Sequence, residues 1–172
     1  MNDKIRVLLS EEEVAKRIKE MGDVISSDYE GRPLHLICIL KGGVFFTCEL
    51  AKRISLPLTL DFMSVSSYGA GTVSSGIVKI VKDLDEPIEG KDVLIVEDII
   101  DSGNTLSYLI EVLKQRNPRS IELCTLLDKP ERRVKKQVTV KYTCFTVPDQ
   151  FIVGYGLDYD QKYRNLPYIG VI

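Results

Sequence analysis

Seven residues in one stretch have the types and spacing to do chemistry: Glu97, Asp98, Asp101, Ser102, Gly103, Asn104 and Thr105. Val93 to Val96 precede them as four continuous apolar residues, the pattern of a strand buried on both faces. Leu106, Leu109, Ile110 and Leu113 follow at helical spacing. The expectation is a strand feeding a helix through a turn that carries the three carboxylates. Such a turn aims backbone N–H groups outward at the helix N-terminus. Together with small hydroxyl residues and a glycine, it suits a phosphate monoester. Carboxylates beside a phosphate would repel it, so they need another task. Ribose hydroxyls, a metal ion or a proton in transit are the candidates.

Other stretches add chemistry at a distance. Leu40-Lys41-Gly42-Gly43 reads either as an ordinary strand-to-helix turn or as a second anion site, with glycine letting the backbone approach and Lys41 adding charge. The small, glycine-rich run from Ser66 through Ser67, Tyr68 and Gly69 to Gly76 is too long for a tight hairpin and reads as a mobile loop that could serve as a lid. Lys129, in Asp128-Lys129-Pro130, falls at the carboxyl end of an expected parallel strand, where α/β proteins bind ligands. Without further context, Phe151 reads as a core aromatic and Asp158 as a turn or cap residue. The basic run 131–136 reads as a solvated turn or short helix, since no stacking aromatics interleave it.

The elements that must position these residues alternate between strand and helix. Ser10 with Glu13 forms a capping box, and Val14, Ile18, Met21 and Ile25 give the helix after it an apolar stripe. Gly31-Arg32-Pro33 ends that helix. Strands are expected over 34–40, 58–65, 77–81, 93–96 and 121–127, with a β-rich segment at 138–147. A helix should run from the Lys41 turn to about Ile54, and another from Leu106 to near Asn117-Pro118. Tyr168 to Ile172 should close the fold as an edge strand.

Composition narrows the classes. The length suits one α/β domain, 1–172, with a proper core. A net charge of -2 advertises no nucleic-acid field. Cys38, Cys48, Cys124 and Cys144 contain no C-x-x-C pair and read as buried reduced thiols of a cytoplasmic protein. No apolar run approaches the ~18 residues of a membrane span, and the N-terminus does not read as a signal peptide. His35, the one histidine, reads as structural, which gives a zinc site or a histidine-based triad little support.

The central stretch resembles the phosphoribosyl diphosphate (PRPP) motif of the type I phosphoribosyltransferases. Two acids followed by Ile-Ile-Asp-Ser-Gly-Asn-Thr are most similar to the hypoxanthine-guanine branch. The resemblance extends from the Leu40 loop to the C-terminus. It implies a mostly parallel central sheet flanked by helices, a small hood from the chain ends and a flexible two-stranded flap. It implies transfer of a phosphoribosyl group from PRPP to N9 of a 6-oxopurine, with Mg2+ as cofactor.

The roles it implies are specific. Glu97 and Asp98 hold the ribose hydroxyls, Asp101 exchanges a proton with purine N7, and Ser102 to Thr105 bind the 5′-phosphate. Lys41, Gly42 and Arg164 bind pyrophosphate, in a loop expected to contain a strained or cis peptide before the lysine. Lys129 bonds the purine 6-oxo group, Phe151 stacks on the base, and the backbone of Ile152 reads its edge. Asp158 touches the base by its carbonyl and magnesium by its side chain, beside Glu97 and Asp98 as metal ligands. Ser66-Ser67-Tyr68-Gly69 opens the catalytic lid. The resemblance also implies a dimer or tetramer, with no nucleic acid or membrane as partner.

A regulator that reuses the fold to bind nucleotide or RNA is a rival, but it would want a basic face and could dispense with Asp101. An adenine, uracil or orotate transferase is a nearer rival, disfavoured by Lys129 with Phe151. A plain dinucleotide-binding protein lacks its glycine fingerprint here.

Overall fold

The computed structural model describes residues 4–67, 78–135 and 138–172. Among these, nine strands, three α-helices and one 3-10 turn form two sheets. In chain order the elements are β1 (Arg6–Leu9), α1 (Glu11–Asp28), β2 (Leu34–Leu40), α2 (Val44–Ala51), β3 (Leu58–Ser67) and β4 (Val78–Lys82). There follow β5 (Asp92–Ile100), α3 (Asn104–Lys114), β6 (Ser120–Asp128), the 3-10 turn Pro130–Arg132, β7 (Tyr142–Thr146), β8 (Ile152–Val153) and β9 (Ile169–Val171).

The large sheet has the order β4-β3-β2-β5-β6-β7. Every neighbouring pair is parallel except β3 with β4. Its central strands read as unbroken apolar runs because both faces are covered. Leu36, Leu94 and Val96 pack with Val14 and Ile18 of α1 and with Phe46 and Leu50 of α2. Ile37, Ile39, Val93 and Ile95 alternate with them and pack with Leu106, Leu109 and Leu113 of α3. The α1 stripe is buried at Val14, Ile18, Met21 and Ile25, each stabilising by about 1.5–3 kcal/mol. Its start is capped as the sequence implies, with Ser10 Oγ accepting from the Glu13 N–H at 3.1 Å.

The hood is the three-stranded sheet β1-β9-β8, built from the two chain ends. Here the sequence expectation needs correcting. The last strand is the middle of this sheet, not its edge, because β9 pairs with β1 on one side and β8 on the other. The helix after the Lys41 turn also ends at Ala51, short of Ile54. Of the cysteines, Cys48 is exposed on α2 and the other three are buried. Burial pushes the Cys38 thiol up to about 11 and the Cys144 thiol to about 12. His35 is buried on β2, its Nδ1 2.6 Å from Thr59 Oγ1. No helix of the described residues is long and apolar enough to cross a membrane.

Candidate active site

The carboxyl ends of β2, β5 and β6 lie side by side, so the turns leaving them meet. β5 keeps its pairing with β6 through Ile100, whereas its pairing with β2 stops at Cys38 and Val96. Glu97 and Asp98 therefore sit on the strand and not in the turn, a correction to the sequence expectation. Asp101 and Ser102 form the turn. The Asp101 carboxylate accepts from the Ser102 N–H at 2.6 Å, and its side chain is exposed. It does not cap the helix. The N-cap of α3 is Gly103, at φ 80°, where a side chain would be strained and none is present to cap; of the neighbouring side chains only Ser102 Oγ, 3.4 Å from the Asn104 N–H, accepts from the first turn among the described residues. That leaves the N-terminal end of an 11-residue helix facing a cavity of about 270 Å³. Gly42, Glu97, Asp98, Asp101 to Thr105 and Arg164 line it.

Backbone approach fills the space that β2 vacates beside β5. A Cβ on Gly42 would lie 1.9 Å from Asp98 Oδ2, and a Cβ on Gly156 would lie 2.0 Å from the Gly42 carbonyl oxygen. The Lys41 loop is thus sandwiched between the β5 carboxylates and the 154–157 turn. Its Leu40–Lys41 peptide is cis, as the resemblance implied. Arg164 anchors the turn by donating from Nη1 to the Gly156 carbonyl at 2.7 Å, while its Nε is buried without a hydrogen bond among the described residues. Lys41 Nζ and Arg164 Nη2 both donate to Gln161 Oε1, at 3.3 and 3.1 Å. Two cations from distant segments thereby converge on one acceptor oxygen.

Glu97, buried, and Asp98, half-buried, are neighbours of like sign. Burial first, then the Asp98 charge, pushes the Glu97 carboxyl well above its usual range. Burial also raises Asp98, opposed by hydrogen bonds from Glu97 and the Ile99 N–H and by the charge of Arg164. Each carboxyl therefore binds a proton more tightly than an exposed carboxylate would.

The expected base-binding residues group apart from that cavity. Lys129 is buried at the end of β6. Its N–H donates to the Ile100 carbonyl at 2.9 Å and its Nζ to the Gln150 carbonyl at 2.5 Å. Phe151 is 53% exposed, its ring edge-on to Tyr159 at 5.5 Å, so a ring face is open to stacking. Ile152 is buried in β8. Asp158 accepts from the Gln161 N–H at 2.8 Å and pairs with Arg164 at 3.4 Å. Glu97, Asp98 and Asp158 do not converge into a cage, and no group of three or more potential ligands gathers among the described residues. Ser66 and Ser67 end β3, paired with Lys79 and Val78. Tyr68, Gly69 and the rest of the lid through Gly76 lie outside the described residues.

Two contributors were missed in the sequence. Gln161 bridges the cations, and nothing in its local pattern marks it. Arg133, expected in a solvated basic run, is instead tied to Asp128 and to the Asp101 carbonyl.

Comparison with known proteins agrees with this geometry. The family described as phosphoribosyl transferase domain matches residues 7–160. The chain is 54% identical over 167 residues to the hypoxanthine-guanine phosphoribosyltransferase of Bacillus subtilis (strain 168), covering 97% of this chain and 92% of that one. It is 53% identical over 171 residues to the bifunctional protein TilS/HprT of Listeria monocytogenes serotype 4b (strain F2365). That match covers 99% of this chain but only 26% of the bifunctional protein's length. A crystal structure of a hypoxanthine phosphoribosyltransferase from Staphylococcus aureus superposes with a TM-score of 0.93 at 51% identity, covering 97% of this chain and 90% of that one. With the family match spanning most of its length and relatives of this identity covered almost end to end, the chain belongs to the phosphoribosyltransferase family, in its hypoxanthine-guanine branch.

Proposed function

We propose that this protein transfers the 5-phosphoribosyl group of PRPP to N9 of a 6-oxopurine, hypoxanthine or guanine, in purine salvage. The observation that carries the reading is what gathers at one sheet end: a helix N-terminus with glycine at its N-cap, two cations from distant segments sharing one glutamine, and a buried lysine. The first suits a 5′-phosphate. Lys41 and Arg164, which share Gln161 and leave Arg164 Nε without a hydrogen bond among the described residues, suit the leaving pyrophosphate. Lys129 supplies only donors, which suits an oxo acceptor and not an amino donor.

The reaction is substitution at ribose C1′. Purine N9 attacks, the bond to pyrophosphate breaks, and the configuration inverts from α to β. Positive charge develops on the ribose, and the Glu97–Asp98 carboxylates stabilise that charge. The same carboxylates hold the ribose hydroxyls. Asp101, exposed and free of any capping role, takes or returns the proton at purine N7. Phe151 stacks on the base, the Ile152 backbone reads its edge, and the Asp158 carbonyl joins it there.

Magnesium fits the residues present. Glu97, Asp98 and Asp158 offer hard oxygen atoms, and the raised carboxyl pair is an excess of buried negative charge that a cation relieves. When bound, it neutralises the leaving pyrophosphate.

The protein is expected to act in the cytoplasm as a dimer or tetramer. A panel of hypoxanthine, guanine, xanthine, adenine and uracil, assayed for PRPP-dependent nucleotide formation with and without excess chelator, tests the reading. Formation of IMP or GMP that stops in chelator is expected. Turnover of adenine or uracil in place of the oxopurines would overturn it, and undiminished turnover in chelator would remove the magnesium.

A further inference from the structure

Arg133 lies outside every role assigned above, yet its surroundings are those of a built contact. Its side chain is only 15% exposed and that of Asp128 only 16%. From one edge of the guanidinium, Nη2 pairs with Asp128 Oδ1 while Nε donates to the Asp101 carbonyl at 3.0 Å. The following backbone continues the contact, with the N–H groups of Val134 and Lys135 donating to the Ser102 carbonyl at 2.9 and 3.0 Å. A Cβ on Gly103 would lie 3.3 Å from Arg133 Cδ, so the phosphate turn closes on the arginine stem. On the other side, Asp128 ends β6 immediately before Lys129, whose N–H bonds to Ile100.

We propose that Arg133 is a positioning residue that clamps the Asp101–Gly103 turn to the end of β6, so that the proton-exchanging carboxylate and the base-binding lysine hold one fixed spacing. The inference rests on the functional reading above. Its physical basis is the planar fork. Two donors at fixed separation span a carboxylate and a carbonyl at once, whereas a lysine ammonium on a flexible stem can follow either but not hold both in register. Asp101 is otherwise an exposed side chain on a turn, and misplacement of about 1 Å is enough to slow a chemical step about 10²-fold.

Arg133→Lys tests this, because it keeps the charge pair with Asp128 and loses the fork. The expected result is a kcat about 10- to 100-fold lower at saturating PRPP and hypoxanthine, with a melting temperature within about 2 °C of the parent. Because the effect passes through Asp101, the same substitution in an Asp101→Asn background should lower kcat by less than about threefold further. Asp128→Asn, which keeps the bond to the Asp101 carbonyl, should show a smaller loss in the same direction. Amide hydrogen exchange at 102–105 should be faster in Arg133→Lys without any substrate present. A parental kcat in Arg133→Lys, or its full loss persisting beside Asp101→Asn, would overturn the proposal. Unchanged exchange at the turn would overturn it as well. An inactive parent protein with a normally accelerated turn in the variant would instead locate the failure in the functional reading.

Discussion

Strand β5 carries a buried carboxylate at each end, Asp92 and Glu97, the latter beside half-buried Asp98, and their surroundings differ in kind. Asp92, at the start, accepts from Ser120 Oγ at 2.6 Å and has Arg32 and Arg119 at 3.7 and 3.9 Å. Glu97 and Asp98, at the end, act on each other, Asp98 lies against Gly42, and both carboxyls are held above the usual range. The first acid is satisfied by its own chain and is structural. The second pair is left with surplus charge, which a cation and hydroxyl donors from a ligand can relieve. Burial alone marks neither role; the sign of the neighbours does.

The largest expected effect tests the acid just beyond that pair. Asp101→Asn should lower kcat by roughly 10²- to 10⁴-fold while leaving the melting temperature close to that of the parent, since its carboxylate bonds only to the adjacent Ser102 N–H in the contacts seen. Turnover and thermal unfolding measured on the same sample check both halves, and near-normal turnover would remove the proton-exchange role.

Gly42→Ala sharpens the contrast by striking the contact that only the functional end of β5 makes. The new methyl has nowhere to go against Asp98, so the loop or the carboxylate must shift. A loss of about 10²-fold in kcat/KM for PRPP is expected. A parental value would show that the close approach has no part in binding.

Lys129→Gln moves the test to base choice. Nζ is held by the Gln150 carbonyl, and a site built around one hydrogen bond rejects the analogue lacking it by about 10⁴-fold. A glutamine can present an acceptor as well as a donor. The variant should lose most activity on hypoxanthine and narrow the hypoxanthine-to-adenine ratio of kcat/KM by about tenfold or more. An unchanged ratio would sink the assignment.

The smallest effects are on stability and compare the two ends directly. Asp92→Asn should destabilise by about 1–3 kcal/mol near neutral pH, because it weakens a buried charge-assisted contact. Glu97→Gln should not. Its folded carboxyl titrates above the ordinary value of 4.5, so the folded state binds the proton more tightly than the unfolded one. That contribution to stability is present at low pH and is lost as pH rises from about 4.5 through the raised folded value. The parent's denaturant midpoint should therefore fall with pH over that window relative to Glu97→Gln. Parallel pH profiles for the two proteins would contradict the raised carboxyl.

Much of this molecule is readable along the chain because the signals are local. Strand β2 is found with its observed bounds, since a strand covered on both faces shows as an apolar run. The α1 cap and stripe are properties of residues three and four apart. The phosphate turn is a contiguous motif, so strand, turn and helix announce themselves together. What local spacing could not decide was how far each pairing runs. Glu97 and Asp98 are on the strand because β6 continues beside them, and β9 is central because β1 and β8 arrive from opposite ends of the chain. The contact of Gly42 with Asp98 and Gly156 depends on chain segments more than fifty residues apart, as does the meeting of Lys41 and Arg164 on Gln161. Arg133 looks solvated among its charged neighbours in sequence, and only the fold brings the carboxylate of Asp128 and the carbonyl of Asp101 to the two donors of its fork. Residue types determined which chemistry was possible; the order of strands in the sheet decided which charges would face each other, because that order alone sets the distances over which they act.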